Sequence, residues 1–398
     1  MPRPTLEVAD IFRQHGNAYR ESHPLPLEQL NVMRAIEVCR TATLGGHVET
    51  CGHCAYTRNA YNSCRNRHCP KCQGAERLHW LQNRQEEILP VQYFHVVFTL
   101  PEPIAQIAFY NKEVVYNILF RATAETLVTI AADPKHLGAG IGFFAVLHTW
   151  GQKMLHHPHL HCVVPGGGIS SDHERWVPCR PGFFLPVKVL SRLFRRLFLE
   201  ALEEAFKQGE LQFFSELSSP SDAANFSAYL DPLRDSEWVV YAKPPFGGPQ
   251  QVLAYLGRYT HRVAISNQRL QSLENSQVTF QWKDYKHKNK QNSKTMTLDA
   301  GEFIRRFLLH TLPAGFQRIR HFGFLANCHR KAKLALCRQL LLPPIVELLP
   351  ESAQTRPLLD FLAQNKPAIC PQCSLGTMIR VTLLPAYRWP ALPPPNSS

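Results

Sequence analysis

Histidines at 157, 159 and 161 alternate with Pro158, Leu160 and Cys162, and Val163, Val164, Pro165 and three glycines follow. In an extended strand side chains alternate between faces, so residues two apart share one. The pattern predicts a strand over about 159–164 that sets imidazoles side by side. Imidazoles held on a rigid strand make a good site for a divalent metal. His159 and His161 are the firm pair. His157 is a contingent third ligand, on the right face provided the strand starts early and Pro158 does not bend it away.

A second constellation lies further along the chain. Pro244 to Pro249 reads as a turn, and Gly248 and Pro249 suit the start of a helix over 250–262. Tyr255 and Tyr259 are four apart, so they share a helix face about one turn from each other, with Arg258, His261 and Arg262 beside them. Two core tyrosines would give the same spacing. A phenol, with a pKa of about 10, is a poor nucleophile near neutral pH. It becomes useful against a phosphodiester when a metal polarises the phosphate and a base takes the proton. Cleavage would leave a DNA 5′-phosphotyrosine and a free 3′-OH. The bond energy is retained, so strands can be rejoined without ATP. Two tyrosines on one face permit two linked cleavages, and Arg258 and Arg262 could clamp phosphate.

The third group is cysteine. Six of the 12 cysteines fall between Cys39 and Cys72. Cys51-x2-Cys54 and Cys69-x2-Cys72 are two knuckles at zinc spacing, and in a reducing cytosol close pairs of cysteines are metal ligands rather than disulfides. These four are expected to close one structural Zn²⁺ site. Cys39, His47, Cys64 and His68 are left over and could hold a second Zn²⁺; a buried apolar Cys39 and a surface His68 are the plainer reading. Cys370-x2-Cys373 is a knuckle without an evident partner, either half a zinc ribbon or two free thiols.

The chain of 398 residues has a formal net charge of +13, an excess that points to nucleic acid as partner. Arg58, Arg65, Arg67 and Lys71 cluster in the cysteine-rich stretch. Lys286, Lys288, Trp282 and Tyr285 fall in a basic hairpin over 277–298, where aromatics among cations suit single-stranded nucleic acid. Arg318 and Arg320 extend the basic surface. No run of 18 apolar residues and no signal-peptide pattern is present, so neither a membrane partner nor export is expected, and the cytosol is the expected location.

The elements that must position these groups follow from periodicity. Residues 1–38 hold helical patterns broken at Pro24 and Pro26. A helix is expected over 75–89, a buried strand over 93–100, one long helix over 104–131, and a strand over 142–150. A basic helix spans 186–209, its arginines Arg192, Arg195 and Arg196 reading as a solvated face. Short strands are expected at 238–243 and 263–267, and a basic helical region over 301–342. The order predicts an α+β fold, an antiparallel sheet with helices on one side. Domains are expected at 1–90, 91–340 and 341–398, the last a Pro-rich tail with one Cys-x2-Cys knuckle whose end, residues 390–398, is expected to be disordered.

Together these features resemble the two-tyrosine HUH endonucleases, and in particular the rolling-circle transposases of bacterial insertion sequences. His159-Leu160-His161 matches the His-hydrophobe-His motif, and Tyr255-Leu-Gly-Arg-Tyr259 the paired-tyrosine motif. His95 to Leu100 is similar to the family's first motif. Cys51 to Cys72, with Ser63-Cys-Arg-Asn-Arg-His-Cys-Pro-Lys-Cys72, is similar to its N-terminal zinc domain, and the match extends through Phe316 to Gly323. The resemblance covers the chain to about residue 340 with the motifs in order. It implies a five-stranded antiparallel sheet with the His pair on a central strand, next to a small zinc-binding domain. It also implies Mg²⁺ or Mn²⁺ at the His pair, Tyr255 and Tyr259 as nucleophiles, and single-stranded or hairpin element ends and target DNA as substrates in a bacterial, nucleoid-associated setting.

Three other readings fit parts of the chain. A plasmid replication initiator or relaxase would use the same chemistry. A histidine-triad nucleotide hydrolase would attack phosphorus with His159, leaving the zinc module unexplained. A zinc DNA-binding protein without catalysis would leave an intact site unused.

Overall fold

The structure, a computed structural model, describes residues 6–73, 87–214, 222–243, 251–252, 263–284, 293–341 and 369–387. Helices α1 (Val8–Ser22) and α2 (Leu27–Glu37) lead into strands β1 (Gly46–Cys51) and β2 (Thr57–Tyr61). Strand β3 (Tyr93–Thr99), helices α3 (Glu102–Tyr110) and α4 (Lys112–Ala132), and strands β4 (Gly142–Trp150) and β5 (His156–Pro165) follow. A small ladder of β6 (Gly167–Ile169) and β7 (Trp176–Pro178) precedes α5 (Val187–Lys207), α6 (Ala223–Asp235) and β8 (Val240–Lys243). Strands β9 (Leu270–Glu274), β10 (Gln277–Lys283) and β11 (Ser293–Asp299) run into α7 (Ala300–Leu309). Strand β12 (Ile319–Gly323), helix α8 (Arg330–Leu341) and strand β13 (Met378–Leu384) complete the order.

Contacts divide the chain into two units, each discontinuous in sequence. One holds residues 1–79, 261–311 and 350–398, the other 80–260 and 312–349.

In the second unit five strands form an antiparallel sheet in the order β12-β4-β5-β3-β8, which puts the histidine strand in the centre. The strands are rich in β-branched and aromatic residues, which fit a pleated buried surface. Alternation separates the two faces. Phe94, Val96 and Phe98 of β3, Phe143, Ala145 and Leu147 of β4, and Leu160, Cys162 and Val164 of β5 all belong to one core with α3, α4, α5 and α6. Phe98 meets Phe194 of α5 edge-on at 5.0 Å. The opposite face carries His95, His148, His159 and His161. The sheet is thus the α+β layer expected, with helices packed on one face.

Several elements differ from the sequence reading. The long helix is two, broken at Asn111, whose backbone turns to φ −120° and ψ 45°. The Asn111 side chain donates to the carbonyls of Ile107 and Gln212 and accepts from the Gln212 amide, an arrangement that holds the break in place. Helix α4 is long and apolar enough to cross a membrane by length and composition alone, but its Val115, Tyr116, Leu119 and Leu127 are buried in the core. Residues 319–323 are the edge strand β12 rather than helix. Gly323 closes that strand at φ +58°, against the Ile141 carbonyl, where a Cβ would collide. The histidine strand starts earlier than expected, at His156, and Pro158 lies inside it. The helix expected over 75–89 falls largely outside the described residues, and so do the Pro-rich stretches 342–368 and 388–398.

In the first unit α1 packs on α2 and α7, with Phe12 edge-on to Phe307 at 5.3 Å. Strands β9, β10 and β11 form one sheet, on which Phe303 of α7 meets Phe280. Asp299 caps α7 by accepting from the Gly301 amide at 2.7 Å. Residues 263–267 are not a strand; the Asn267 side chain accepts from the Val8 amide at 3.2 Å and so serves the start of α1. A separate sheet has the order β13-β1-β2.

Candidate active site

Strands β4 and β5 pair His148 with His159, and the same ladder pairs Val146 with His161. Residues directly opposite in a ladder share a face, so β4 adds His148 to the two histidines of β5. One ring nitrogen from each of His148, His159 and His161 lies within 4.8 Å of the others. His148 and His161 are buried, and His159 is half-buried. The third member of the group is therefore His148, not His157. His157 lies on the same side, its ring 5.3 Å from that of His159, but it is exposed at the end of the strand and outside the group.

The nitrogens have defined roles. The Nδ1 of His159 lies 2.7 Å from the His157 carbonyl, which can only accept, so Nδ1 carries the proton and Nε2 the lone pair. His95 on β3 reaches His161 from the other side: His95 Nε2 and His161 Nδ1 are 2.7 Å apart and the rings stack at 5.0 Å. A proton on His161 Nδ1 leaves its Nε2 with a lone pair, as a metal ligand requires. Burial pushes His159 down to about 4. Burial, helped by the charge of Lys243, pushes His95 down to about 3. Both are neutral imidazoles near pH 7. A donor set of three imidazoles fits a divalent transition ion.

Strand β8 borders this face. Tyr241 pairs with Val97 in the row of His161, and Lys243 pairs with His95. Both side chains are exposed. No motif marks His148, Tyr241 or Lys243, and His95 begins the segment similar to the family's first motif without an evident role there. The signal for His148 was its place in the strand predicted over 142–150, but only the register brings it to His159.

Tyr255, Tyr259, Arg258 and Arg262 lie outside the described residues, as do Tyr285, Lys286 and Lys288. The other basic residues are placed unequally. Arg65 is exposed and Arg67 half-buried in the loop between Cys64 and Cys69. Lys71 is ion-paired to Glu7 at 2.7 Å. Arg320 lies over the Phe120 ring at 4.2 Å and donates to Asn117, and Arg318 is half-buried. Lys71 and Arg320 thus hold their own unit together.

The cysteines group differently from the expected sets. Cys39, Cys64, Cys69 and Cys72 converge, with Cys72 Sγ 3.5 Å from both Cys39 Sγ and Cys64 Sγ. Cys69 and Cys72 are therefore not joined by Cys51 and Cys54. His47 is bonded to Glu49 at 3.0 Å, and neither it nor His68 enters the group. Thiolates on a tetrahedral Zn²⁺ at about 2.3 Å are about 3.8 Å apart, close to this packing. Cys39 follows α2 and the other three come from one loop, so the group needs no regular register, only a compact turn.

Comparison with known proteins gives this geometry its context. Residues 11–100 match the family model described as a transposase zinc-binding domain, and residues 142–333 the one described as "Putative transposase". The chain is 59% identical over 393 residues, 98% of each protein, to the "Putative transposase y4qJ" of Sinorhizobium fredii. The chain belongs to the transposase family of that relative. It is 28% identical over 335 residues, 82% of this chain and 77% of the relative, to the transposase for insertion sequence element IS801 of Pseudomonas savastanoi pv. phaseolicola. No solved structure matches. As a transposase it acts on DNA, and its N-terminal region binds zinc.

Proposed function

We propose that this transposase nicks and rejoins single-stranded DNA at the ends of its insertion sequence through 5′-phosphotyrosine intermediates, and so moves the element by a rolling-circle route. The observation that carries the reading is the meeting of His148, His159 and His161 on the sheet face opposite the helices. These three would hold a divalent cation, Mg²⁺ or Mn²⁺, which supplies a Lewis acid for a phosphate oxygen when bound. With no carboxylate in the group, the donor set suits Mn²⁺ better than Mg²⁺.

The chain's own residues divide the remaining work. The phenol oxygen of Tyr255 or Tyr259 attacks phosphorus, the P–O3′ bond breaks, and the 3′-oxygen leaves as a hydroxyl. The reverse attack by another 3′-OH rejoins the strand and frees the tyrosine. Arg258 and Arg262 pair with phosphate. His95 keeps His161 in its working orientation. Tyr241 and Lys243, exposed beside the histidines, fit a single strand of DNA, one by stacking a base and the other by pairing with phosphate. Lys286, Lys288, Arg318, Arg65 and Arg67 extend the contact, with single-stranded or hairpin ends and target DNA as ligands in the bacterial cytoplasm, at the nucleoid.

Cys39, Cys64, Cys69 and Cys72 hold one Zn²⁺ as a closed four-thiolate site. Such a site stabilises folding and has no open position for catalysis.

Covalent trapping tests the reaction. A single-stranded oligonucleotide carrying the element end, incubated with the protein and Mn²⁺ or Mg²⁺, should give an adduct that survives denaturing electrophoresis. Tyr255→Phe combined with Tyr259→Phe should abolish it. An adduct that persists in the double variant overturns the assignment of the nucleophiles.

A further inference from the structure

The first unit contains a second group of four cysteines, drawn from positions far apart in the chain. Cys51 is the last residue of β1 and Cys54 follows it, and Cys370 and Cys373 precede β13. All four sulfurs lie within 4.8 Å of one another. Cys51 Sγ is 3.7 Å from Cys373 Sγ, and Cys54 Sγ is 3.7 Å from Cys370 Sγ. That separation is far beyond a disulfide's S–S length of about 2.05 Å. It matches the edge of about 3.8 Å expected for thiolates on a tetrahedral Zn²⁺.

The two knuckles repeat one local structure. The carbonyl of Cys51 accepts from the Ala55 amide at 3.2 Å, and the carbonyl of Cys370 from the Ser374 amide at 2.9 Å. Ala55 and Ser374 both take the left-handed conformation, at φ 58° and 56°. The Cys51 amide donates to Tyr56 and the Cys370 amide to Gly376, each at 2.8 Å.

Backbone amides also point at the sulfurs. His53 and Cys54 donate to Cys51 Sγ at 3.3 and 3.4 Å, Gln372 to Cys370 Sγ and Gly376 to Cys373 Sγ, both at 3.4 Å. Such bonds favour the thiolate over the thiol, as a metal site requires.

One further position fits the same purpose. A Cβ on Gly376 would collide with Cys51 Sγ and with His53. Only glycine lets the second knuckle approach the first this closely.

We propose that Cys51, Cys54, Cys370 and Cys373 form a second Zn²⁺ site, which closes a zinc ribbon from the two ends of the chain. The soft four-thiolate donor set selects zinc over hard cations. The site has a structural consequence. It anchors the C-terminal knuckle, and β13 then pairs with β1 from Gly46↔Leu384 to Cys51↔Met378. Residues 369–384 are a working part of the zinc module, and their loss removes both half of the ligands and one strand of its sheet.

Zinc content of the full-length chain, measured by elemental analysis after exhaustive dialysis, tests the proposal. The wild type should hold two Zn²⁺ per chain. Cys370→Ser with Cys373→Ser should hold one, and so should Cys51→Ser with Cys54→Ser. Gly376→Val, which keeps every ligand, should also fall to one. Retention of two ions by the Cys370→Ser, Cys373→Ser variant overturns the site. If the variants do not fold, the wild type still decides: two ions, with Cys51, Cys54, Cys370 and Cys373 protected from a thiol-alkylating reagent until a chelator is added, supports the site. Alkylation of all four before chelation overturns it. A wild type with one ion that the tail variant keeps rejects this site alone. A wild type with one ion that the tail variant loses rejects the site assigned to Cys39, Cys64, Cys69 and Cys72 instead.

Discussion

His148 on β4 stands directly across from His159 on β5, with their rings perpendicular and 5.7 Å apart. The same strand pair sets His148 edge-on to His161 at 4.4 Å. A turn over 151–155 separates the two strands in the chain, and the antiparallel ladder returns His159 to its partner. The three-imidazole group is a consequence of that register, since a slip of one residue would move His148 to the core face.

His148→Ala removes one of three donors. Mn²⁺ affinity, measured by titration calorimetry on the full chain, should fall by more than the roughly 10–100-fold that loss of an outer partner costs. Nicking should fall with it, while circular dichroism stays unchanged. His157→Ala should leave Mn²⁺ affinity within about twofold. Equal effects of the two substitutions would reject the group described here.

His95→Phe keeps ring volume and loses the hydrogen bond to His161. As a positioning residue, His95 should cost about 10–100-fold in metal affinity or in the rate of nicking. Binding of the same oligonucleotide without metal should be unaffected. A weakened metal-free DNA affinity with an unchanged nicking rate would show a contact role instead.

The zinc ligands can be separated from their neighbours. Cys39→Ser or Cys64→Ser should release one Zn²⁺ and unfold the N-terminal region, because binding energy at a structural zinc is folding energy. His47→Ala and His68→Ala should release none. Zinc lost from either histidine variant, read by a colorimetric chelator, would restore the alternative ligand set.

The pH dependence of stability has a sign fixed by His156. Its Nδ1–H donates to the Ala105 carbonyl at 3.1 Å and its Nε2 accepts from the Tyr116 hydroxyl at 2.8 Å. Burial, then the charge of Lys112, lowers its pKa from 6.5 to about 3. Between those values the unfolded chain binds the proton and the folded chain does not. The contribution is therefore complete above about 6.5 and is lost as pH falls towards 3, by about 1.4 kcal/mol per pH unit. Urea midpoints at pH 7.5 and pH 5 should diverge less in His156→Gln than in the wild type. An unchanged difference would remove His156 as the cause.

Arg320 and Arg65 should behave oppositely. Arg320→Ala loses its cation–π contact with Phe120 and should lower stability by about 1–2 kcal/mol without changing the salt dependence of DNA binding. Arg65→Ala, at an exposed loop position, should leave stability within about 0.5 kcal/mol and reduce the log–log salt slope by about one. A salt slope altered by Arg320→Ala would place it at the DNA.

The amino-acid sequence by itself determined the central features. Runs of aromatic and β-branched residues over 93–100 and 142–150, and histidines alternating with Leu160 and Cys162 over about 159–164, predict strands, because such residues fit a pleated surface and side chains on a strand alternate faces. The His159-Leu160-His161 spacing likewise dictates two imidazoles side by side. These are local properties of the chain. Ligand partnerships are not local. Cys51 and Cys54 look as suited to Cys69 and Cys72 as to Cys370 and Cys373, since a knuckle fixes only its own two thiolates. Only the pairing of β13 with β1 brings the C-terminal knuckle to them, and only the loop after Cys64 returns Cys69 and Cys72 to Cys39. Arg320 and Phe322 sat in a basic run that reads as helix, and hydrogen bonding to the edge of β4 makes it a strand. His148 and His95 became site residues for the same reason: strand register is set by long-range packing, and it alone decides which side chains stand next to His159 and His161.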